Sequence, residues 1–385
     1  MNIKIKNTIL LVIAYLYKPI LKIKYKIYKN KRNNIKKRLF STTGNISLVN
    51  AITLIKQLNE QNCEDYLIIN SNGNDNFWET NMSISSLHNF KKIIKIHDIR
   101  FSTGFLLSNI YKIDEIYSIN HPFHLDLYKE IFGDVDINLI DEGIGSLINY
   151  GLEDNSQIKA FYTNKYIDKI DGLGFSNDFI EKFKPLSTDI FKNIAKILVE
   201  KYPILPAIDK TKKNILYCGN YWYGSGLSKE EFETVQDKLV NDLINQGYNV
   251  LYKPHPRDTQ FERLKNNPNV TFINSMLPIE VYNLDMLAVV SICSATSILV
   301  AHYWNIPGFS NVQDKTIQKT SNDRIRSNLI RMLIEEYSPN YKYLLDFDVK
   351  NMSKNDLKVQ IHAAYQTFLL NKANSSVNHR LLQNF

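Results

Sequence analysis

Residues 251–258 read LYKPHPRD, an apolar and aromatic run that stops in a histidine placed between two prolines and two cations. Proline has no backbone N–H to give to a sheet, so a strand that reaches Pro254 is expected to end there. The turn that follows is either a rigid corner or a place where the side chains of Lys253, His255 and Arg257 meet an anion. The remainder of the sequence favours the second interpretation.

Short apolar runs alternate with helical patterns on both sides of this turn. The runs are RLFSTTG, DYLIIN, KKIIKIHDI, EIYSIN and DINLI in the first half of the chain, and NILYCGN, NVLYK, NVTFIN and LAVVSIC in the second. Such a series is typical of largely parallel sheets covered by helices on both faces. The sequence therefore predicts an α/β fold of two doubly wound Rossmann-like domains facing a central cleft.

The predicted boundaries follow changes in composition. A segment with two prolines and a cationic cluster, ILVEKYPILPAIDKTKK, interrupts the alternation and reads as an interdomain connection. We expect an N-terminal arm at 1–38, a first domain at 39–195, a linker at 196–212, a second domain at 213–353, and a C-terminal helix and tail at 354–385.

The net charge of +8 is concentrated at one end of the chain. Residues 1–38 hold twelve Lys and Arg and no acid, which leaves 35 basic and 39 acidic residues elsewhere. A body without excess positive charge argues against nucleic acid as a partner. Three widely separated cysteines, with no Cys/His cluster at metal-ligand spacing, are typical of a reducing compartment and predict no metal site.

The arm has the composition of a membrane-surface segment. Its apolar run, TILLVIAYLY, has about half the length that a spanning helix needs. The following KPILKIKYKIYKNKR alternates cations with apolar side chains, which suits an anionic lipid surface. We expect residues 1–34 to hold a cytoplasmic protein peripherally on the inner face of the cytoplasmic membrane.

Three polar elements follow predicted strand ends in the second domain. They are the Lys253–Pro256 turn, Glu280, and the hydroxyl-rich Ser294–Ser297 segment that opens a helix. Hydroxyls and backbone N–H groups at a helix start bind anions, and a carboxylate can accept from both hydroxyls of a ribose. Together they suit a nucleotide sugar, although the domain has neither a GxGxxG nor a P-loop lysine motif.

The first domain contributes a pair of acids. A predicted strand, INLI, delivers Asp141 and Glu142 to its carboxyl end, and Gly143 and Gly145 allow the backbone to turn tightly. A carboxylate there could take a proton from an acceptor hydroxyl, and either acid has the required chemistry.

These motifs, in this order, resemble those of the bacterial sialyltransferases and polysialyltransferases of GT-B fold. That group carries an acidic-acidic-Gly motif, a His-Pro motif and a later Ser/Thr pair. Here they are Asp141-Glu142-Gly143, His255-Pro256 and Thr296-Ser297, with Ser294 as an alternative hydroxyl. Glu280 stands where the ribose-binding acid of that group is expected.

The resemblance implies an inverting, metal-independent glycosyltransferase that uses no cofactor. It would move sialic acid or a related nonulosonate from a CMP donor to a surface glycan, in lipooligosaccharide or capsule. Asp141 would be the base, or Glu142 in its place, and His255 would stabilise the leaving CMP phosphate. The donor site would also include residues assigned by motif or position, namely Gly143, Gly219, Asn220, Lys253, Pro256, Glu280, Ser294, Thr296 and Ser297.

Two other functions remain open at the level of the sequence. One is a CDP-glycerol or CDP-ribitol phosphotransferase of polymer synthesis, in which His121 or His124 of the HPFH stretch would be a second catalytic histidine. The other is an inactive binding or assembly protein of a polysaccharide machinery. On its own, the HPFH stretch precedes a helical pattern and reads as structural.

Overall fold

The computed structural model describes residues 23, 35–70, 78–96, 113–119, 135–143, 157–164, 176–204, 206–220, 227–255, 264, 266–312 and 331–383. The chain divides into two compact units, Met1–Ala195 and Lys196–Phe385, called here the first and second unit. Apart from Ile23, the segment at 1–34 that we expect to contact a membrane lies outside the described residues.

The first unit contains a seven-stranded parallel sheet. Its strands are β1 (Lys36–Thr42), β2 (Cys63–Asn70), β3 (Lys92–Ile96), β4 (Glu115–Ser118), β5 (Asp136–Ile140), β6 (Ile158–Thr163) and β7 (Phe183–Pro185). They lie in the order β3-β2-β1-β4-β5-β6-β7, and every neighbouring pair is parallel. The direction of winding reverses between β1 and β4, the point at which sheets of this kind bind ligands.

The helices of the first unit cover this sheet. They are α1 (Asn45–Leu58), α2 (Trp78–Ser85), α3 (Asn177–Ile180) and α4 (Thr188–Lys201). Helix α1 follows the central strand directly, with Asn45 and Ser47–Ile55 buried, and it ends at Asn59, which adopts a left-handed φ of 44°. Helix α4 continues past Ala195, so the first six residues of the predicted linker at 196–212 are helical.

The second unit contains a five-stranded parallel sheet. Its strands are β8 (Asn214–Cys218), β9 (Asn249–Lys253), β10 (Val270–Phe272), β11 (Ala288–Ser291) and β12 (Gly308–Ser310). They lie in the order β10-β9-β8-β11-β12, again with every neighbouring pair parallel. Here the winding reverses between β8 and β11.

Three labelled helices of the second unit are α5 (Lys229–Gln246), α6 (Thr296–Trp304) and α7 (Lys354–Gln383). Two 3-10 helices span Ile279–Val281 and Tyr341–Asp346, and residues 331–337 are also helical. Helix α5 begins in a reciprocal cap, in which the Ser228 hydroxyl accepts from Glu231 N and the Glu231 carboxylate accepts from Ser228 N. It ends at Gly247, whose φ of 108° favours glycine.

Helix α7 is part of the core of the second unit. Leu357, Ile361 and Tyr365 recur every four residues and are buried among the side chains of the sheet. The Tyr365 hydroxyl also donates to the backbone oxygen of Tyr337 at 2.9 Å. In the part of the chain that the structure describes, no helix has both the length and the apolar character that crossing a bilayer requires.

The predicted N-terminal arm at 1–38 overlaps the first three residues of strand β1, so its predicted end lies too late in the chain. Strand β1 begins at Lys36, and Arg38 is only 2% exposed, paired with Asp65 through two hydrogen bonds of 2.6 and 2.8 Å. Lys36 pairs with Glu60 and Glu115. These cations have acidic partners within the fold, which a charge count along the sequence could not reveal.

Candidate functional site

The carboxyl edge of the second sheet brings three turns together. Gly219, directly after β8, donates from its backbone N–H to the oxygen of Lys253, the last residue of β9, at 2.9 Å. The side chain of Asn220 donates to the oxygen of Cys293 at 2.7 Å and accepts from the N–H of Ile292 at 3.3 Å. The turns after β8, β9 and β11 are therefore tied to one another, beside the point where the winding reverses.

Gly219 is required by close packing. A Cβ atom at this position would lie 2.7 Å from the Tyr252 hydroxyl oxygen and 3.2 Å from the backbone nitrogen of His255. Only glycine leaves room for these groups. Gly219 thus leaves room for its neighbours, and Asn220 links the turn after β8 to the turn after β11. The expectation that these two residues contact the donor remains a prediction.

The KPHP turn places two basic side chains at this edge. Lys253 and His255 are both half-buried, and Lys253 Nζ lies 3.2 Å from the oxygen of Pro254. Burial lowers the pKa of the Lys253 ammonium, against the attraction of the nearby Glu280 carboxylate. Pro256 lies outside the described residues. A partly desolvated cation at a strand end is well suited to an anionic ligand.

Glu280 lies in the short 3-10 helix and is held at two points. Its Oε1 accepts a hydrogen bond from the Thr296 hydroxyl at 2.8 Å, and its backbone oxygen accepts from the indole N–H of Trp304 at 2.8 Å. Burial raises the pKa of this carboxyl, while the bond from Thr296 and the charge of Lys253 act in the opposite direction. Sequence spacing did not predict that Trp304 takes part.

The hydroxyl segment divides into two environments. Ser294 and Thr296 are half-buried and contact each other, with 3.0 Å between their hydroxyl oxygens and 3.2 Å from Thr296 N to Ser294 Oγ. Helix α6 begins at Thr296, as predicted. Both side chains lie within reach of the Glu280 segment, so the structure brings together three of the residues assigned to the donor site.

Ser297 is placed differently from its neighbours. It is fully buried, and its hydroxyl contacts Ser338, Ser291 and the backbone oxygen of Ser294. A Cβ at Gly308 would lie 2.0 Å from the Ser297 backbone oxygen, so β12 packs tightly against this turn. The assignment of Ser297 to the donor site was wrong for the side chain, because the first turn of α6 directs it into the interior.

In the first unit, Asp141 is a fully buried residue at the end of β5. Its Oδ1 accepts from Gly143 N at 2.6 Å and its Oδ2 accepts from the Thr163 hydroxyl at 3.0 Å. Its backbone oxygen accepts from the side-chain amide of Asn50 at 2.8 Å. Gly143 has a φ of 137°, which side chains rarely adopt, so its role in this turn is conformational.

Glu142 is the more accessible of the two acids. It is half-buried, and its Oε2 accepts from the Thr43 hydroxyl at 2.9 Å. Thr43 follows the central strand β1, so this contact lies at the reversal point of the first sheet. Thr43 belongs to none of the motifs recognised in the sequence, although its position directly after the central strand was a usable signal. Gly145, His121 and His124 lie outside the described residues.

One Asp-x-Asp spacing occurs in the second unit, at Asp346 and Asp348. Asp348 accepts from the side chain of Asn351, and the adjoining Val349 accepts from Lys213, which directly precedes β8. This acidic pair therefore lies at the amino-terminal edge of the sheet, opposite the KPHP turn. Across the ranges that the structure describes, no cluster of three or more His, Cys, Asp or Glu could hold a metal ion.

Solved structures of low sequence identity share the fold. A UDP-GlcNAc 2-epimerase from Methanocaldococcus jannaschii, in complex with UDP-GlcNAc and UDP, has a TM-score of 0.52 and 10% identity, covering 77% of this chain and 92% of that one. The UDP-N-acetylglucosamine 2-epimerase from Rickettsia bellii has a TM-score of 0.50 and 11% identity, covering 90% and 98%. These similarities confirm the predicted GT-B fold.

Sequence comparison identifies relatives as well. The uncharacterized protein MJ1060 of Methanocaldococcus jannaschii is 29% identical over 118 residues, covering 25% of this chain and 22% of the length of that relative. A family model described as alpha-2,8-polysialyltransferase (POLYST) matches residues 38–313, which include both acids, the KPHP turn, Glu280 and the hydroxyl segment. The chain belongs to the alpha-2,8-polysialyltransferase family.

Proposed function

We propose that this glycosyltransferase transfers sialic acid or a related nonulosonate from a CMP donor to a surface glycan, with inversion. The observation that carries the proposal is the strand-end cluster of the second unit. There Lys253 and His255 share an edge with the half-buried Glu280 and the hydroxyls of Ser294 and Thr296. Family membership supports the nonulosonate as the transferred sugar.

In this proposal the basic side chains of the KPHP turn, Lys253 and His255, bind the donor phosphate. CMP leaves as a monophosphate, and negative charge grows on its oxygens as the glycosidic bond breaks. Donors that are already in place stabilise this charge without reorganisation, most strongly where water is partly excluded. His255 and Lys253 are half-buried at a strand end, which is such an environment. Glu280 accepts hydrogen bonds from the ribose hydroxyls.

The first unit supplies the general base from Asp141 and Glu142. An inverting single displacement needs one group to take the proton of the acceptor hydroxyl as it attacks. The family resemblance assigns the first acid, Asp141, to this role. The Thr43 contact holds Glu142 beside it, at the reversal point of the same sheet. Neither a metal nor a cofactor enters the proposed reaction.

We propose further that residues 1–34 bind an anionic membrane surface, at the cytoplasmic face of the membrane where lipooligosaccharide or capsule precursors are assembled. The support is their sequence, rich in Lys and in apolar side chains and free of acids. Each cation near an anionic surface contributes about 1 kcal/mol. A protein lacking residues 1–34 should no longer sediment with phosphatidylserine vesicles. Equal sedimentation of both proteins would remove this part of the proposal.

A donor-hydrolysis screen tests the function directly. The purified protein is incubated with CMP-linked nonulosonates and with UDP-, GDP- and CDP-linked donors, with and without sialylated oligosaccharide acceptors. We expect CMP release from a CMP-nonulosonate, accelerated by acceptor and lost in Glu280→Gln. The control is Thr234→Val, an exposed helical position of the same unit. Turnover of CDP-glycerol or CDP-ribitol instead would favour the phosphotransferase, and no turnover of any donor would favour an assembly protein.

A further inference from the structure

We propose that Thr296 is a positioning residue, which sets the Glu280 carboxylate for ribose recognition and makes no contact of its own with the donor phosphate. The inference rests on the proposed use of a nucleotide donor, and it assigns Thr296 a role different from that of a phosphate-binding hydroxyl. It follows from the direction of the hydrogen bonds around Thr296.

The hydroxyl hydrogens of this segment are already committed. Thr296 donates its single hydroxyl hydrogen to Glu280 Oε1 at 2.8 Å. Ser294 donates its own to Thr296 Oγ1 at 3.0 Å and accepts from Thr296 N at 3.2 Å. A phosphate oxygen only accepts hydrogen bonds, so it would have to take the Thr296 hydrogen away from the half-buried Glu280 carboxylate. Removing that hydrogen bond from a desolvated anion is costly.

Glu280 keeps capacity for a ligand while Thr296 holds it. A carboxylate offers about four lone-pair sites; Thr296 uses one on Oε1 and the backbone N–H of Glu280 itself bonds to the same carboxylate, so capacity for further donors remains. Vicinal ribose hydroxyls are donors and fit this remaining capacity. The orientation of the Glu280 carboxylate therefore decides how well it can accept hydrogen bonds from both ribose hydroxyls.

Both ends of helix α6 form hydrogen bonds with Glu280. Thr296 is the first residue of α6 and Trp304 is the last, and they bond to the side chain and the backbone of Glu280 respectively. Helix α6 thus acts as a brace for the acid. Removing the Thr296 hydroxyl frees the side chain of Glu280 while Trp304 still fixes its backbone.

The test compares nucleotides that differ only in the ribose or the phosphate. Affinities for CMP, 2′,3′-dideoxy-CMP and cytidine are measured by calorimetry for the wild type, Thr296→Val and Thr296→Ser. We expect Thr296→Val to weaken CMP about tenfold, the effect of one hydrogen bond to a charged group, and to leave dideoxy-CMP unchanged. Thr296→Ser retains the hydroxyl and should restore CMP affinity. The matched control is Thr234→Val.

The contrary outcomes are distinct. If Thr296→Val weakens CMP and dideoxy-CMP equally and leaves cytidine unchanged, Thr296 binds the phosphate and the inference is overturned. If the wild type binds CMP and dideoxy-CMP with equal affinity, Glu280 does not bind the ribose hydroxyls. The inference then fails, while the proposal of a CMP donor is unaffected. If the wild type binds no nucleotide, the proposed function fails and this inference with it.

A second measurement needs no ligand. The hydrogen bond from Thr296 lowers the pKa of Glu280, so Thr296→Val should raise that pKa above its wild-type value. The pKa is followed by NMR of protein labelled at the glutamate carboxyl carbons, with Glu280→Gln to assign the signal. An unchanged pKa in folded Thr296→Val would show that the two side chains are not coupled and would overturn the inference.

Discussion

The buried carboxylate of Asp141 accepts a hydrogen bond of 2.6 Å from the backbone N–H of Gly143. The bond closes the turn that leaves β5, and the Thr163 hydroxyl occupies the other carboxylate oxygen. The residue that the family resemblance assigns as the base thus also stabilises its own loop. Substitutions at Asp141 therefore have to be measured for folding and for turnover together.

We expect Asp141→Asn to lower both the melting temperature and the turnover rate. An asparagine would present an amide N–H₂ to Gly143 N–H or to the Thr163 hydroxyl, which are donors in the wild type. Loss of a general base reduces the rate by about 10² to 10⁴. CMP binding should remain, because the proposed donor residues lie in the second unit.

Glu142→Gln is the matched variant for this comparison. Its carboxylate accepts from the Thr43 hydroxyl, a bond that the glutamine oxygen can keep, so the melting temperature should stay near the wild-type value. A greater loss of turnover in Glu142→Gln than in folded Asp141→Asn would make Glu142 the base.

We expect His255→Ala to lose turnover and CMP affinity together. Its proposed partner is the phosphate itself, and loss of one such electrostatic partner costs about 10² to 10³ in rate. His362→Ala, on the half-buried side of α7, is the control and should retain both. Calorimetric CMP titration and melting curves distinguish the cases. A folded His255→Ala protein with normal turnover would mean that the two prolines only form a corner.

Gly219→Ala should destabilise the second unit by about 1 to 3 kcal/mol, the usual cost of overpacking. The added methyl would lie 2.7 Å from the Tyr252 hydroxyl, and moving that ring also moves the KPHP turn. CMP affinity should therefore fall as well. Gly44→Ala is the comparison, because no atom lies within 4 Å of a Cβ there. Urea denaturation gives the free energies, and a Gly219→Ala protein as stable as Gly44→Ala would contradict the packing argument.

The Asp285 ion pairs should make stability depend on acid pH. Hydrogen bonds from Lys354 and Lys358 lower the pKa of Asp285 to about 2, from an unfolded value near 3.9. The stabilisation is therefore present above about pH 4 and is lost as the pH falls from about 4 to 2. Because the pairs are partly exposed, its size is at most about 1 kcal/mol.

Melting curves of the wild type and Asp285→Asn test this dependence. The wild type should melt at the higher temperature at pH 7, and the difference should shrink as the pH is lowered from 4 to 2. A difference that stays constant over this interval would show that Asp285 titrates as an unpaired acid.

Activity should survive EDTA. The proposed leaving group is a monophosphate, and in the proposed reaction Lys253 and His255 take the charge that a metal would otherwise neutralise. The one Asp-x-Asp spacing of the second unit lies at the opposite edge of the sheet. Donor hydrolysis is measured before and after chelation. Full loss with EDTA, followed by recovery with Mg²⁺ or Mn²⁺, would exclude the metal-independent mechanism.

The sequence predicted the long elements of the fold well. Strands β8, β9 and β11 are continuous apolar runs that the sequence pattern identified. Strands β6, β7 and β12 were not evident from the sequence pattern. Two of these have three residues each, and β7 ends in a proline, which is tolerated at a sheet edge. Runs that short carry too little periodicity to be distinguished from loops.

The sequence indicated which residues lie near the candidate site, but it indicated only some of the contacts between them. Strand ends placed Lys253, Glu280 and Ser294 at one edge, because parallel strands share a direction. The burial of Ser297 and the bond from Thr296 to Glu280 depend on how α6 packs against the sheet and the 3-10 helix. Such contacts are set by tertiary structure, and local sequence does not encode which hydroxyl faces inward.

The core position of α7 has a consequence for the order in which the chain folds during synthesis. Every strand of the first sheet precedes residue 186, whereas the core of the second unit needs Tyr365. At translation rates of about 5 to 20 residues per second, roughly 10 to 35 s separate the completion of the two cores. During this interval the first unit can already be folded, whereas the apolar strands of the second unit still lack the helix that completes their core. We therefore expect the ribosome-bound chain to be most prone to aggregation, and to chaperone binding, in this interval.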